Sequence, residues 1–113
     1  MKIDINLNLV SENLSIKEAI KIMDKGGIGF ICVQNIEGKV KGIVTDGDFR
    51  RAILNETNLN EKITAITNEK FTYLREGYVS DEVEKIFQET IVKHIPIIDA
   101  EGTLIEIITE ENF

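Results

Sequence analysis

Thr45 and Asp48 are the residues best placed by type and spacing to do chemistry, within the run Gly42-Ile43-Val44-Thr45-Asp46-Gly47-Asp48-Phe49-Arg50-Arg51. The run joins an apolar strand to a helix start through one hydroxyl and two carboxylates. A glycine ahead of two β-branched residues lets the strand run close to a neighbour, and Thr45 and Asp46 both carry side chains that cap helices. The apolar face of that helix continues through Phe49, Ala52 and Ile53. Its first backbone N–H groups lack partners within the helix and favour anions. Thr45 then suits a phosphate or ribose edge, and Asp48, one turn later, suits a vicinal diol that donates two hydrogen bonds. The purely structural alternative is that both residues only cap the helix.

No catalytic constellation is found in the chain. His94 is the single histidine and lacks a second histidine, a serine nucleophile or an organised acid nearby, so it reads as a strand-entry residue. Cys32, the single cysteine, lies in the apolar run 28–33 and reads as a buried, inert thiol; no disulfide within the chain is possible. Lys25-Gly26-Gly27 is a helix stop without the spacing of a phosphate-binding loop. Arg50 and Arg51 lie on the first turn of the motif helix and can reach phosphate, although exposed helix arginines more often stay solvated or pair with carboxylates.

The elements that must position this motif occur twice. A shift of 64 residues aligns Glu18 with Glu82, Lys21 with Lys85, Ile22 with Ile86, Ile31 with Ile95, Glu37-Gly38 with Glu101-Gly102, Ile43 with Ile107, Thr45 with Thr109 and Phe49 with Phe113. Two short units, each too small to bury its own apolar face, are expected to share one core. Apolar periodicity reads as β-α-β-β-α in each unit. In the first copy Ile3, Ile5, Leu7 and Leu9 alternate as in a half-buried strand, and Ser15-Ile16-Lys17-Glu18 has the spacing of a capping box. Ile16, Ala19, Ile20 and Met23 face inward, Gly26-Gly27 ends the helix, 28–33 is a strand, 35–38 a turn and 39–44 a strand. The motif helix fades near Asn55, and 58–66 reads as a connecting helix with Leu59, Ile63 and Ile66 inward. In the second copy 71–74 and 104–108 are strands, Ser80 or Asp81 caps a helix burying Val83, Ile86 and Phe87, and Pro96 belongs at a strand edge or start. The last helix has barely begun at Phe113. The units are 1–57 and 67–113, joined by 58–66.

Composition fits one modest core: 113 residues, 42% hydrophobic, with a formal net charge of −7. That charge argues against a nucleic-acid backbone as partner. No apolar run approaches the roughly 20 residues that cross a bilayer, and Met1-Lys2-Ile3-Asp4 lacks the pattern of a signal peptide, which leaves a cytoplasmic location and no membrane partner as the expectation.

The pattern resembles the cystathionine β-synthase (CBS) domain pair, or Bateman module, over essentially the whole chain. Gly42, Ile43, Val44, Thr45 and Asp48 meet the family's glycine, two apolar residues, Ser or Thr and, three further on, Asp. Ile95, Pro96, Ile97, Ile98, Asp99 and Gly102 meet its apolar-Pro-apolar-apolar-Asp and turn glycine. The resemblance implies an α+β (α/β) fold of two β-α-β-β-α repeats about a pseudo-twofold axis, with two clefts for adenosine-containing ligands. It implies an adenine nucleotide (AMP, ADP or ATP) as regulatory ligand, no catalytic cofactor, no metal, and a homodimer. Asp48 would hold the ribose hydroxyls and Thr45 the phosphate or ribose side, with Asp46 and Arg51 beside them. Leu9, Val10 and Ile31 would line the adenine.

The second copy departs from that pattern. Glu106 replaces the glycine, Asn112 replaces the ribose-binding Asp, and Glu110 and Glu111 stand where phosphate is expected, so the site at Thr109 and Asn112 reads as degraded and one competent cleft is expected. With Asp99 and Glu101 this end is negative, which reads as a solvated acidic face, a divalent-cation site being the alternative. The variant Thr-Asp-Gly-Asp-Phe-Arg-Arg resembles two settings, the N-terminal CBS pair of sugar nucleotidyltransferases similar to mannose-1-phosphate guanylyltransferase and the C-terminal pair of arabinose-5-phosphate isomerases. Met1 before the first strand and an end at the last helix favour the first setting, with the catalytic domain following Phe113. A ligand-free dimerisation platform using Phe49, Ile53 and Leu54 is the rival reading.

Overall fold

The computed structural model describes residues 3–113, so Met1 and Lys2 of the N-terminal segment lie outside the described residues. In chain order the elements are β1 (Leu9–Ser11), α1 (Ile16–Gly26), β2 (Phe30–Gln34), β3 (Val40–Thr45), α2 (Asp46–Leu54), β4 (Leu74–Arg75), α3 (Ser80–Glu89), β5 (His94–Ile98) and β6 (Leu104–Thr109). Short 3-10 turns at Ile5–Asn8 and Ile63–Ile66 precede the strands of each half. Two three-stranded sheets result, ordered β1-β2-β3 and β4-β5-β6, each with one parallel and one antiparallel pairing.

The 64-residue shift holds in the hydrogen-bond register. Phe30 pairs with Thr45 as His94 pairs with Thr109, and Cys32 pairs with Ile43 as Pro96 pairs with Ile107. Even the register irregularity between Val33 and Gln34 recurs between Ile97 and Ile98. Alternation along β2 explains why the copies need each other. Ile31 and Val33 join the core under α1 and α2, with Ile16, Ala19, Met23, Val44 and Phe49. Phe30 and Cys32 point the other way and pack with Leu104 and Ile107 of the second copy. Ile95 and Ile97 of β5, together with Ile108 of β6, meet Val83 of α3 in a third cluster. Both faces of the central strands are therefore buried, as their continuous apolar character requires.

Caps set the helix limits. Ser15 and Glu18 form the expected capping box, each bond being 3.0 Å. Gly27, at φ 74°, ends α1 in the left-handed conformation that favours glycine. The start of α3 differs from expectation: Val79, which has no side-chain acceptor, occupies the cap, and Glu82 reaches back to its N–H at 3.4 Å. Ser80 is the first helical residue.

Other expectations are corrected. The alternating Ile3 to Leu9 is no strand, because the Asp4 carboxylate accepts from Asn6 N–H at 3.0 Å and its carbonyl from Leu7 N–H at 3.1 Å, which winds 5–8 into a turn. Only Leu9 of that set enters a strand. The connection 58–66 seats Leu59, Ile63 and Ile66 against the first core, as read, but is helical only at Ile63–Ile66. Its backbone is spent on α1 instead: Leu59 and Glu61 carbonyls accept from Lys17 and Ile16, and Ile63 N–H donates to Leu14. The strand expected at 71–74 is reduced to Leu74–Arg75. Pro96 sits inside the central strand, where it is tolerated because β4 reaches only Ile97 and Ile98 and leaves that flank of Pro96 without a strand neighbour. Ile53 is 56% exposed, so the buried face of α2 is Phe49 and Ala52.

Replacing Phe30 by Ala should lower unfolding free energy by about 3 to 5 kcal/mol, whereas Ile53→Ala should stay within about 0.5 kcal/mol. Urea unfolding of both variants checks the assignment of Phe30 to the joint between the sheets. Equal losses would contradict it.

Candidate functional site

β3 delivers the motif to the start of α2, and the approach depends on Gly42. A Cβ there would fall 2.5 Å from both the Asn68 carbonyl oxygen and the Thr67 methyl. The close contact is a short antiparallel bridge in which Ile43 N–H donates to Asn68 at 3.0 Å and Asn68 N–H returns to Ile43 at 2.9 Å. The segment that enters the second copy thus lies against the strand that carries the first motif.

Thr45 caps α2 with extended backbone and Asp48 answers from the third helical position. One Asp48 oxygen, Oδ2, accepts from Thr45 N–H at 2.9 Å and from the Thr45 hydroxyl at 3.0 Å, while Asp48 N–H donates to Thr45 Oγ1 at 3.4 Å. The other oxygen, Oδ1, accepts from Arg51 Nη2 at 2.7 Å. Asp46 pairs with Arg50 at 3.5 Å, both well exposed, and its N–H donates to the Gly29 carbonyl. The structure therefore brings Thr45, Asp46, Asp48 and Arg51 together at one helix N-terminus, and the capping role of Thr45 and Asp48 is present in full. A partly exposed carboxylate beside an exposed guanidinium can hold a diol and a phosphate at adjoining points.

The three residues expected around the adenine are packed in the interior. Val10 is 2% and Ile31 0% exposed, both inside the first core, and Leu9 packs against the cluster that joins the sheets. Phe49 is likewise buried, at 2% exposure, which removes it from any surface interface and leaves Ile53 and Leu54.

The second motif keeps the geometry and changes the charge. Asn112 Oδ1 accepts from Thr109 N–H at 2.8 Å, and Asn112 N–H donates to Thr109 Oγ1 at 3.2 Å, so an amide reproduces these reciprocal bonds, although the helix expected to begin here is not formed and 110–113 is turn. Glu106, in place of the glycine, accepts from the Tyr78 hydroxyl at 3.0 Å. Three concavities of about 360, 320 and 540 Å³ border Thr109 or Asn112, a feature that motif spelling did not reveal. The largest includes Asp4, Leu7, Asn8 and Glu111. Among the described residues no group of three or more His, Cys, Asp or Glu side chains is placed to hold a metal ion.

His94 links the copies. Its Nε2 lies 2.8 Å from the Ile28 carbonyl and its ring stacks on Phe30 at 4.8 Å. Since a carbonyl only accepts, Nε2 carries the proton. Burial pushes the imidazole below its ordinary value of 6.5, against the opposing pull of the Ile28 carbonyl and Glu111. Burial alone pushes the Cys32 thiol up to about 12.

A β-α-β-β-α unit and a second, β-α-β-β unit are joined through their sheets, with a Thr-x-x-Asp helix cap in the first. Residues 3–55 match the CBS domain family, and the whole chain has the fold of a CBS pair. A homoserine O-acetyltransferase of Methanococcus vannielii is 31% identical over 95% of this chain, and an inosine-5'-monophosphate dehydrogenase of Aquifex aeolicus 32% identical over 93%. The chain spans only 22% and 21% of those proteins. The arabinose 5-phosphate isomerase GutQ of Escherichia coli K12 is 23% identical over the whole chain, which covers 35% of it. Among solved structures, CBSX2 in complex with AMP superposes with a TM-score of 0.83 at 21% identity, covering 95% of this chain and 84% of that one. The CBS pair of protein MJ0100, in complex with 5'-methylthioadenosine and S-adenosylmethionine, gives 0.81 at 25% identity, covering 93% and 86%. No helix among the described residues is long and apolar enough to cross a membrane.

Because the folded imidazole resists protonation while the unfolded one does not, the unfolded state binds more protons below pH 6.5. Stability from His94 is therefore present above that pH and is lost as pH falls through 6.5 toward the lower folded value. Thermal unfolding should shift down between about pH 7 and pH 5, and His94→Phe, which keeps the stack on Phe30, should flatten that part of the profile. An unchanged profile in the variant would assign the pH dependence to other groups.

Proposed function

We propose that the chain is a regulatory module that binds an adenine nucleotide at the first motif and transmits occupancy to an attached enzyme domain. One observation carries the reading: within the CBS domain at 3–55, Asp48 stands at the N-terminus of α2 with one oxygen committed to the Thr45 cap and the other directed to Arg51. The ribose diol takes Asp48, the phosphate takes the helix N-terminus and Arg51, and the adenine lies toward the entering segment at 67–68. The ligands named in the AMP and S-adenosylmethionine complexes of similar fold support an adenosine-containing ligand here. Closure of the cleft between the copies changes the pose of the attached domain, with coupling on the usual scale of about 1 to 3 kcal/mol.

The attached enzyme follows from the Thr-Asp-Gly-Asp-Phe-Arg-Arg variant: a sugar nucleotidyltransferase, or in the second setting an arabinose-5-phosphate isomerase. The match to GutQ over the full chain favours the isomerase setting. Homodimerisation in the cytoplasm through α2 has the exposed pair Ile53 and Leu54 in its support. A ligand-free dimerisation platform would use the same pair.

Asn112 supplies the design of the test, because an amide there makes the same pair of reciprocal hydrogen bonds with the threonine three positions before it. Asp48→Asn should stay folded and bind AMP, ADP or ATP about 10 to 150 times more weakly, as expected for a lost charge-assisted hydrogen bond. Calorimetric titration with those nucleotides and S-adenosylmethionine should show about one ligand per chain. Undiminished affinity in the variant would move the site away from Asp48. Absence of binding to a folded, dimeric protein would favour the platform.

A further inference from the structure

We propose that the groove beside the second motif binds a linear di- or polyamine, a ligand class distinct from the nucleotide read at the first motif. The concavities there share lining residues. Ile3 and Asn112 link that of about 360 Å³ to the largest, and Ile28, Thr109 and Glu111 link the largest to that of about 320 Å³. They therefore run together as one groove. Asp4, Glu106, Glu110 and Glu111 stand along it, against Lys93 as the single bordering Lys or Arg among the described residues. The charge behind the groove is equally one-sided. Residues 1–66 hold nine Asp or Glu and nine Lys or Arg, whereas 67–113 hold eleven and four, so the whole formal charge of −7 falls in the second copy.

An acidic face alone needs no ligand, but a buried acceptor without a donor calls for one. Asn8 borders the largest concavity and is 1% exposed, and its Oδ1 is the one buried side-chain N or O atom among the described residues without a hydrogen-bond partner. Oδ1 rests on Gly26, which also lines the concavity and where a Cβ would fall 2.5 Å from it. The amide is held by one long bond, from Nδ2 to the Asp4 carbonyl at 3.4 Å. Terminal amide torsions are broad and roughly twofold, so a turn of the amide brings Oδ1 beside the Asp4 carbonyl, at the edge of the groove. An ammonium there donates to both carbonyls, since it carries three N–H donors. No three His, Cys, Asp or Glu side chains among the described residues converge to hold a metal ion, so the carboxylates suit a cation whose charges are spaced along a chain. Ile3, Ile28 and the half-exposed Leu7 supply apolar wall for the methylenes between those charges.

Calorimetric titration of the chain with spermidine, at about 0.15 M salt where distant charges are screened, tests the site. Wild type should bind saturably. Asn8→Leu should bind about ten or more times more weakly, the scale of a lost hydrogen bond to a charged donor, while the empty variant melts no lower than wild type because the orphaned acceptor is gone. Glu111→Gln should weaken binding about two- to fivefold, and Glu84→Gln, the same charge change on α3 outside these concavities, should leave it unchanged. An equal loss in Glu84→Gln, or displacement of spermidine by equimolar Mg²⁺, would reduce the effect to diffuse attraction and overturn the site. Wild-type affinity in a folded Asn8→Leu, displacement of spermidine by adenosine, or no binding to wild type would overturn it equally. Should Asn8→Leu not fold, the comparison of Glu111→Gln with Glu84→Gln still decides.

Discussion

Burial of Phe30 and Cys32 against Leu104 and Ile107 is the contact on which the rest of the structure depends. Each copy contributes a three-stranded sheet with one face already covered by its helices, and the opposite face stays apolar along β2 and β5. Alone, either unit would leave that face in water, at about 25 cal/mol for each Å² of apolar surface exposed. Joining the sheets removes both faces together and fixes the two copies about a common axis. His94 reinforces the joint from its rim through Phe30 and the Ile28 carbonyl.

That joint also sets the motif. With β3 held in the sheet, the strand-to-helix junction projects Thr45 and Asp48 at its rim, and the bridge between Ile43 and Asn68 brings the entry to the second copy alongside. Gly42 is required by that bridge, a backbone contact rather than a ligand contact. Glu106 occupies the matching position in the second copy and is engaged by Tyr78 instead. The two motifs thus share reciprocal hydrogen bonds between the Thr and the residue three further on, though only Thr45 caps a helix, and they differ in charge: arginines and Asp48 at the first, an amide and glutamates at the second.

Much of this was legible in the sequence where local chemistry decides the outcome. The duplication, the Ser15 and Glu18 cap, and the Thr45 and Asp48 pair depend on residues three positions apart or on a repeated pattern. Legibility failed where long-range contacts choose. Alternation at Ile3, Ile5, Leu7 and Leu9 suggested a strand, but the Asp4 cap winds that segment. The helical spacing of Leu59, Ile63 and Ile66 was right about burial and wrong about backbone, because Lys62 and its neighbours bond to the start of α1. Apolar type alone does not say which face of a two-sided strand meets a core, so the burial of Val10 and Ile31 in the first core had no signature in the sequence. The concavities beside Thr109 and Asn112 had no signature in the motif.

The central claim is that Asp48, and not Asn112, marks the nucleotide cleft. Amide chemical-shift mapping of the labelled chain titrated with AMP tests it most directly. A nucleotide held by Asp48 gives saturable shifts centred on Thr45, Asp46, Gly47, Asp48 and Arg51. Shifts centred on Thr109 to Asn112, with Thr45 to Arg51 unmoved, would contradict it.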